Sequence, residues 1–394
     1  MNNTLSYFPS ITHSNKSPVD VAYWQTVLDL YDRKQLKEST IGLLRYANPV
    51  MFEKYGSADK TRFEFPHGSV ILKVNITDKI FSVDAPFLQI PEQNAVPLLR
   101  QVAELNFYPL KLSSIRLNDN QLWFHYECPI ETCEPYKIWD VLYEICIDAD
   151  TYDDEFIEQF NAKRIYEPKI KIMSDDQVEQ TYTHLIQMIN EAIDYTNFFY
   201  SKRWDYFCWD IAAITLFKID QHIAPQGNLR NELERQIDYI MKSKDPHQQI
   251  TSRALSFFEK IKNTPAHKIK QDIYSVETFI SPRRRATHET LVNAMKGTYE
   301  RATDEYNKKD DIACTLSVMY IYYYILFYYN FEDKYFNEIH NALKLASGKS
   351  WTDAALILYP SLQRIMLNNV DENTNLSDNQ GKKSGGFFSK LFGK

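Results

Sequence analysis

Three arginines in a row, Arg283, Arg284 and Arg285, stand in SPRRRATHET (281–290), directly before a helical stretch that Thr287 or His288 would cap. Guanidinium groups at that density are the residue type that binds phosphate or other anions. The same triplet would also serve as a solvated loop or as salt bridges to an acidic body, and no aromatic residues interleave with it as they would at a nucleic-acid site. With a formal charge of -7 over 394 residues, the chain as a whole is a poor partner for nucleic acid.

Other chemistry-bearing residues read more plainly as structure. Cys128 and Cys133 in CPIETC are too widely spaced for a zinc pair and lack two further ligands nearby, and His125 falls on the opposite strand face from Cys128. The acidic run DADTYDDE (148–155) has Asp153 where a calcium loop starting at Asp148 needs glycine, and Gln159 where it needs glutamate. It reads as a solvated helix end. The HGS turn at 67–69 lacks the strand-to-helix elbow of a serine hydrolase. No catalytic, cofactor or metal residues are assigned, and the chain reads as non-enzymatic.

The elements that must position these residues fall into two halves. Residues 20–47 are helical with a break near Asp32–Lys34, and RFEF, VILKVNI and KIFSV follow as strands by their period-two alternation. A helix over 94–106 leads to SIRLNDNQLWFHYEC, a hairpin turning at Asn118-Asp119-Asn120, and Glu134-Pro135 opens a helix to about Phe160. This predicts an α+β domain over 18–166, with helices on one face of an antiparallel sheet. Residues 1–17 read as a flexible N-terminus without a signal-peptide pattern.

From 172 to 368 the pattern is helical. Val178, Tyr182, Leu185, Ile189 and Ile193 mark the first helix, and further candidates cover 202–218, 227–242, 249–262, 288–306, 310–330, 332–346 and 351–367. An all-α helical bundle is expected. Within it, Ile312–Tyr329 runs 18 residues without a charge, which reaches the lower edge of a membrane span. Six of those 18 are tyrosines, and acidic rather than basic residues flank the segment, so it reads as a buried central helix. Five scattered cysteines make no disulfide framework and suit a reducing cytoplasm.

The first domain resembles the fold shared by type III secretion chaperones and the bacterial sensory transduction regulator family. The likeness rests on the element order and on PLLRQVAELNFYPLKLSSIRLNDNQLWFHYECPI, followed by a helix ending in ADTYDDEFIEQF. It covers roughly residues 20–165 and none of the helical half. The resemblance implies a protein-binding module, often dimeric, with no catalytic residues to carry over.

The chain closes with KKSGGFFSKLFGK, after a polar linker, in a tail spanning 369–394. In a helical turn Phe387, Phe388, Leu391 and Phe392 would share one face. Such a peptide fits docking into a protein groove, or weak attachment to an anionic membrane surface aided by Lys382, Lys383 and Lys390. The sequence therefore predicts a bacterial cytoplasmic adaptor, chaperone or assembly factor, partly membrane-peripheral if the tail takes the second role. Its expected partner is a protein, and it would dimerise through the first domain. Trp123 and Trp139 are the candidate partner-binding residues there, with core packing an equal reading for Trp139. The alternative is an anion- or nucleotide-binding regulator or enzyme with Arg283–Arg285 at its site. A pocket joining these arginines to buried carboxylates would favour that alternative.

Overall fold

Period-two apolar residues in consecutive stretches set up the first half of the fold. A computed structural model of the chain describes residues 2–11, 19–168 and 170–370. Helices α1 (Trp24–Asp32) and α2 (Leu36–Ala47) are separated at Lys34, whose positive φ of 62° ends the first of them. Asn48 then caps α3 (Pro49–Tyr55) by accepting the Met51 amide, with Pro49 at the first helical position.

Strands β1 (Arg62–His67), β2 (Val70–Ile76) and β3 (Ile80–Gln89) form an antiparallel meander. Val70, Leu72, Val74 and Ile76 are buried while Lys73 and Asn75 point to the other face. After α4 (Ala95–Phe107), the hairpin β4 (Ser114–Asn118) and β5 (Gln121–Pro129) joins the sheet in the order β1-β2-β3-β5-β4. Its register pairs Asn118 with Gln121, so Asp119-Asn120 is a two-residue turn, and Asp119 takes a positive φ of 52°. Helix α5 (Pro135–Phe160) packs with α2 against one sheet face, and β6 (Lys163–Arg164) adds to β3. This is the expected α+β domain.

The second half is helical, as its periodicity predicts. It runs through β7 (Ile170–Lys171), α6 (Asp175–Ser201), α7 (Tyr206–Ile223), α8 (Gly227–Lys242), α9 (His247–Asn263) and α10 (Ala266–Lys270). Short strands β8 (Ser275–Val276) and β9 (Arg284–Arg285) precede α11 (His288–Asn307) and α12 (Asp311–Tyr328). Strand β10 (Tyr329–Asn330), α13 (Asp333–Ala346) and α14 (Trp351–Met366) complete it. The helix expected at 202–218 starts later and ends later, because a turn with Arg203 at φ 60° intervenes after α6.

Helix α12 is long and apolar enough to cross a membrane, yet 67% of it is buried against its neighbours, which include α7, α11, α13 and α14. Its tyrosines are accommodated in that interior, as where Tyr322 donates to Ser361 Oγ at 2.8 Å.

Two segments break the expected division into successive domains. The stretch read as a flexible N-terminus docks, over residues 2–11, on the helical half, where Leu5 is 1% exposed and joins its core. In return, Phe279 and Ile280 from the helical half belong to the core of the α+β domain.

Candidate interdomain site

The segment carrying Phe279 is a strap between β8 and β9, and the end of β1 catches it. Gly68 turns the chain there with φ +51°, and a Cβ on it would lie 2.5 Å from Asp150 Oδ1 on α5. Only glycine lets that hairpin lie so close to the helix. The Gly68 amide donates to the Glu277 carbonyl at 3.2 Å. His67 Nδ1 accepts from the amides of Phe279 at 3.1 Å and Ile280 at 3.3 Å. These two donors require an unprotonated Nδ1, which places the proton of the neutral ring on Nε2. Burial pushes the imidazole down to about 4, with Asp150 opposing and Arg230 reinforcing the shift.

Around this catch the strap is fastened by polar bonds from α3 and its cap. Asn48 donates to the Thr278 carbonyl at 3.3 Å, Lys54 pairs with Glu277 at 2.6 Å, and the Tyr55 hydroxyl donates to Glu277. Phe279 stacks on Phe65 with the ring planes 5° apart.

Beyond Ile280 the strap delivers the arginine triplet in three directions. Asn330 on β10 donates to the Arg283 carbonyl at 2.8 Å, and its own carbonyl accepts the Ala286 amide at 2.8 Å, so β9 runs parallel to β10. Arg283 turns inward, its Nη2 at 3.7 Å from Asp220 Oδ2 on α7. Arg284 is exposed and lines the cleft described below. Arg285 lies over the Trp24 ring, 5.0 Å from its centroid. Extended backbone sends successive side chains to opposite sides, so adjacent like charges are separated.

Arg230 on α8 reaches across the domain boundary to Asp150 Oδ2 at 3.2 Å, while its Nε holds Glu234 at 3.0 Å. With His67, Asp220, Arg283 and Arg284 they line a cleft of about 290 Å³ between the domains. Burial drives Asp220 up from the ordinary carboxylate range against the pull of Arg283, and drives Arg283 down against the pull of Asp220. At Arg230 burial also works against the charged form, but Asp150 and Glu234 outweigh it and hold the guanidinium above its usual value. The site therefore concentrates cationic hydrogen-bond donors from α8 and the strap beside groups of the α+β domain.

The acidic run at 148–155, expected as a solvated helix end, is instead an anchoring surface. Helix α5 continues through it, and Asp153 is 3% exposed and accepts from Arg164 Nε at 2.8 Å. Cys128 and Cys133 are buried with their sulfurs 3.5 Å apart. Trp123 lies on the sheet face away from α5, half-buried, with Lys73 Nζ 5.3 Å from its ring centroid. Trp139 is half-buried against Tyr46 at 5.3 Å, a packing role. The structure brings neither tryptophan to the cleft. Phe387, Phe388, Leu391 and Phe392 lie outside the described residues.

Sequence reasoning singled out the arginines, met His67 and Asp150 only as part of a turn and of a solvated acidic run, and passed over Asp220 and Arg230. Each meets its partner over a large sequence separation, and no local spacing encodes that meeting. Compared with known protein families, curated proteins and solved structures, the chain matches none.

Proposed function

We propose that the chain binds a small anionic ligand between its two domains and acts as a ligand-responsive regulator. The observation that carries this is the convergence of Arg230, Arg283 and Arg284 on one cleft that also contains His67 and Asp150 of the α+β domain. Asp150 and Glu234 are engaged by Arg230. Burial disfavours the charged forms of Asp220 and of Arg283 alike, and each partly holds the other charged. Arg283 Nη2 stands 3.7 Å from Asp220 Oδ2, within ion-pair reach, and Arg284 beside it is exposed to the cleft. A ligand held there touches both domains and stabilises one arrangement of them.

The test is a melting series of the full chain with inorganic phosphate, pyrophosphate, a dicarboxylate and nucleoside mono- and diphosphates. Saturable stabilisation by at least one class, lost in Arg284→Ala, is expected. Arg284 is chosen because it is exposed, so its removal leaves the fold standing. Equal response of both chains to every anion defeats the reading.

A second reading, a protein-binding adaptor, is favoured by one observation. At the end of α4, Phe107 is 90% and Tyr108 72% exposed, and Leu117 on edge strand β4, which Asn106 of α4 fastens at Ile115, is exposed as well. Affinity capture with wild type and with Phe107→Ser/Leu117→Ser tests it. A partner held only by the wild type supports docking there, and identical captures from both argue against it.

A further inference from the structure

Residues 2–11 lie on the helical domain as a peptide lies in a recognition groove. Hydrogen bonds run along the segment one residue at a time, and between them Leu5 inserts into the helical core. The Asn3 carbonyl accepts from the Tyr195 hydroxyl, and Thr4 donates its amide to Lys349 O at 2.8 Å and its hydroxyl to Ala346 O. Ser6 gives both its amide and its hydroxyl to Glu191 Oε1, at 2.8 and 2.9 Å. The Tyr7 amide donates to Ser347 Oγ at 2.9 Å, and its hydroxyl meets His340 Nδ1 at 2.8 Å. Phe8 packs against His184 and His222, and the Pro9 carbonyl lies 2.6 Å from His222 Nδ1.

The floor of this groove is polar in an otherwise apolar helical core. Lys218 on α7 is buried and pairs with Glu191 Oε2 at 3.0 Å, and its ammonium also lies 5.3 Å from the Phe8 ring centroid. A buried ion pair is a costly way to hold two helices together compared with apolar packing. Here the same carboxylate that neutralises Lys218 reads the Ser6 amide and hydroxyl. The Tyr323 hydroxyl on α12 is also buried within electrostatic reach of Tyr7 and Glu191, a further polar group in this part of the core.

We infer that the α6–α7–α13 groove is a peptide-recognition site held in this state by the chain's own N-terminal arm, which a matching segment displaces. The segment it takes is extended, with a small hydroxyl residue followed by two aromatic residues and a proline, the pattern of Ser6-Tyr7-Phe8-Pro9. Backbone groups and the hydroxyl read Glu191 and Ser347, and the aromatic pair fills the space bounded by His340, His184 and His222. This site is separate from the interdomain cleft and does not rest on what that cleft binds.

The experiment is a fluorescence-anisotropy titration of a labelled peptide with the sequence of residues 2–11 into three full-length chains: wild type, Phe8→Ala, and Ser6→Ala/Tyr7→Phe. The variants weaken only the resident arm and leave the groove unaltered. Because a tethered arm competes at high effective concentration, wild type should bind the peptide at least about tenfold more weakly than either variant. The same peptide with alanine in place of its Phe8 should fail to bind. If both variants stay folded and bind the peptide no better than wild type, the inference is overturned. If both lose the helical fold, the arm is an integral core element and not a displaceable ligand, which overturns it equally.

Discussion

Phe279 and Phe65 stack with their ring centroids 3.8 Å apart, although one leaves the helical domain on a strap and the other sits within the β1 strand of the sheet. Both rings are fully buried. Removing the ring in Phe279→Ala should therefore cost about 3–5 kcal/mol, as for other large-to-small changes in a core. Urea unfolding would show it as a lower midpoint. An unchanged midpoint would mean that the strap is not part of the cooperative unit.

Two glycines give opposite expectations. At Gly68, with its positive φ and Asp150 within 2.5 Å of any Cβ, alanine should destabilise by about 1–2 kcal/mol from backbone strain alone, before the displacement of Asp150. At Gly297, inside α11, a Cβ meets nothing within 4 Å. There alanine should stabilise by roughly 0.5–1 kcal/mol through helix propensity. Thermal midpoints of the two variants should move in opposite directions. Movement in the same direction would refute the contrast.

Histidine burial fixes part of the pH response. His67, His222 and His340 are each lowered to about 4 by burial. A neutral buried histidine contributes stability above its unfolded pKa of about 6.5, and that contribution is lost as pH falls toward the folded value. Asp210, raised by burial to about 7, and Asp148, raised by burial to about 6, act in the opposite sense over that window. The histidine share is isolated by His67→Asn, whose side-chain oxygen can still accept from the strap amides. Between about pH 7 and about pH 4, wild type should lose on the order of 3 kcal/mol more stability than this variant. Parallel pH curves would show that His67 does not titrate with unfolding.

The Lys218–Glu191 pair yields a cycle. Lys218→Met leaves Glu191 buried without its cation and should cost about 3–5 kcal/mol. Adding Glu191→Gln should recover part of that loss, because the amide carries no charge and can still accept from Ser6. Denaturant midpoints of the single and double variants measure the coupling. Strictly additive effects would mean that the two charges do not depend on one another.

What the sequence disclosed follows the range of the forces involved. The β2 alternation and the Glu134-Pro135 helix start are written in neighbouring residues, so those elements were legible from local pattern, whereas Asn48-Pro49 read as the end of one helix and α3, which it opens, was missed. Helix α12 was legible too, since its apolar surface extends all round and therefore demands burial. The arginine triplet was legible as a candidate but its fate was not. Whether Arg283 faces water or Asp220 depends on Asn330 fastening β9 to β10, a contact between distant parts of the chain. Asp150 and Asp153 were misread for the same reason, since Arg230 and Arg164 come to them only after the chain has folded. The residues 2–11 carry no helical or strand period, and their order comes entirely from the groove that holds them.

The exchange of segments between the two halves has a bearing on synthesis. When the α+β domain has left the ribosome, Phe279 and Ile280 are still untranslated, and the place they fill beside Phe65 is open. The N-terminal arm finds part of its surface once α6 and α7 are made, but its contacts with Ala346, Ser347, Lys349 and Ser350 wait until the chain has passed α13. Each half thus waits for the other, and neither core is closed until the segment from Phe279 through Ser350 has been made.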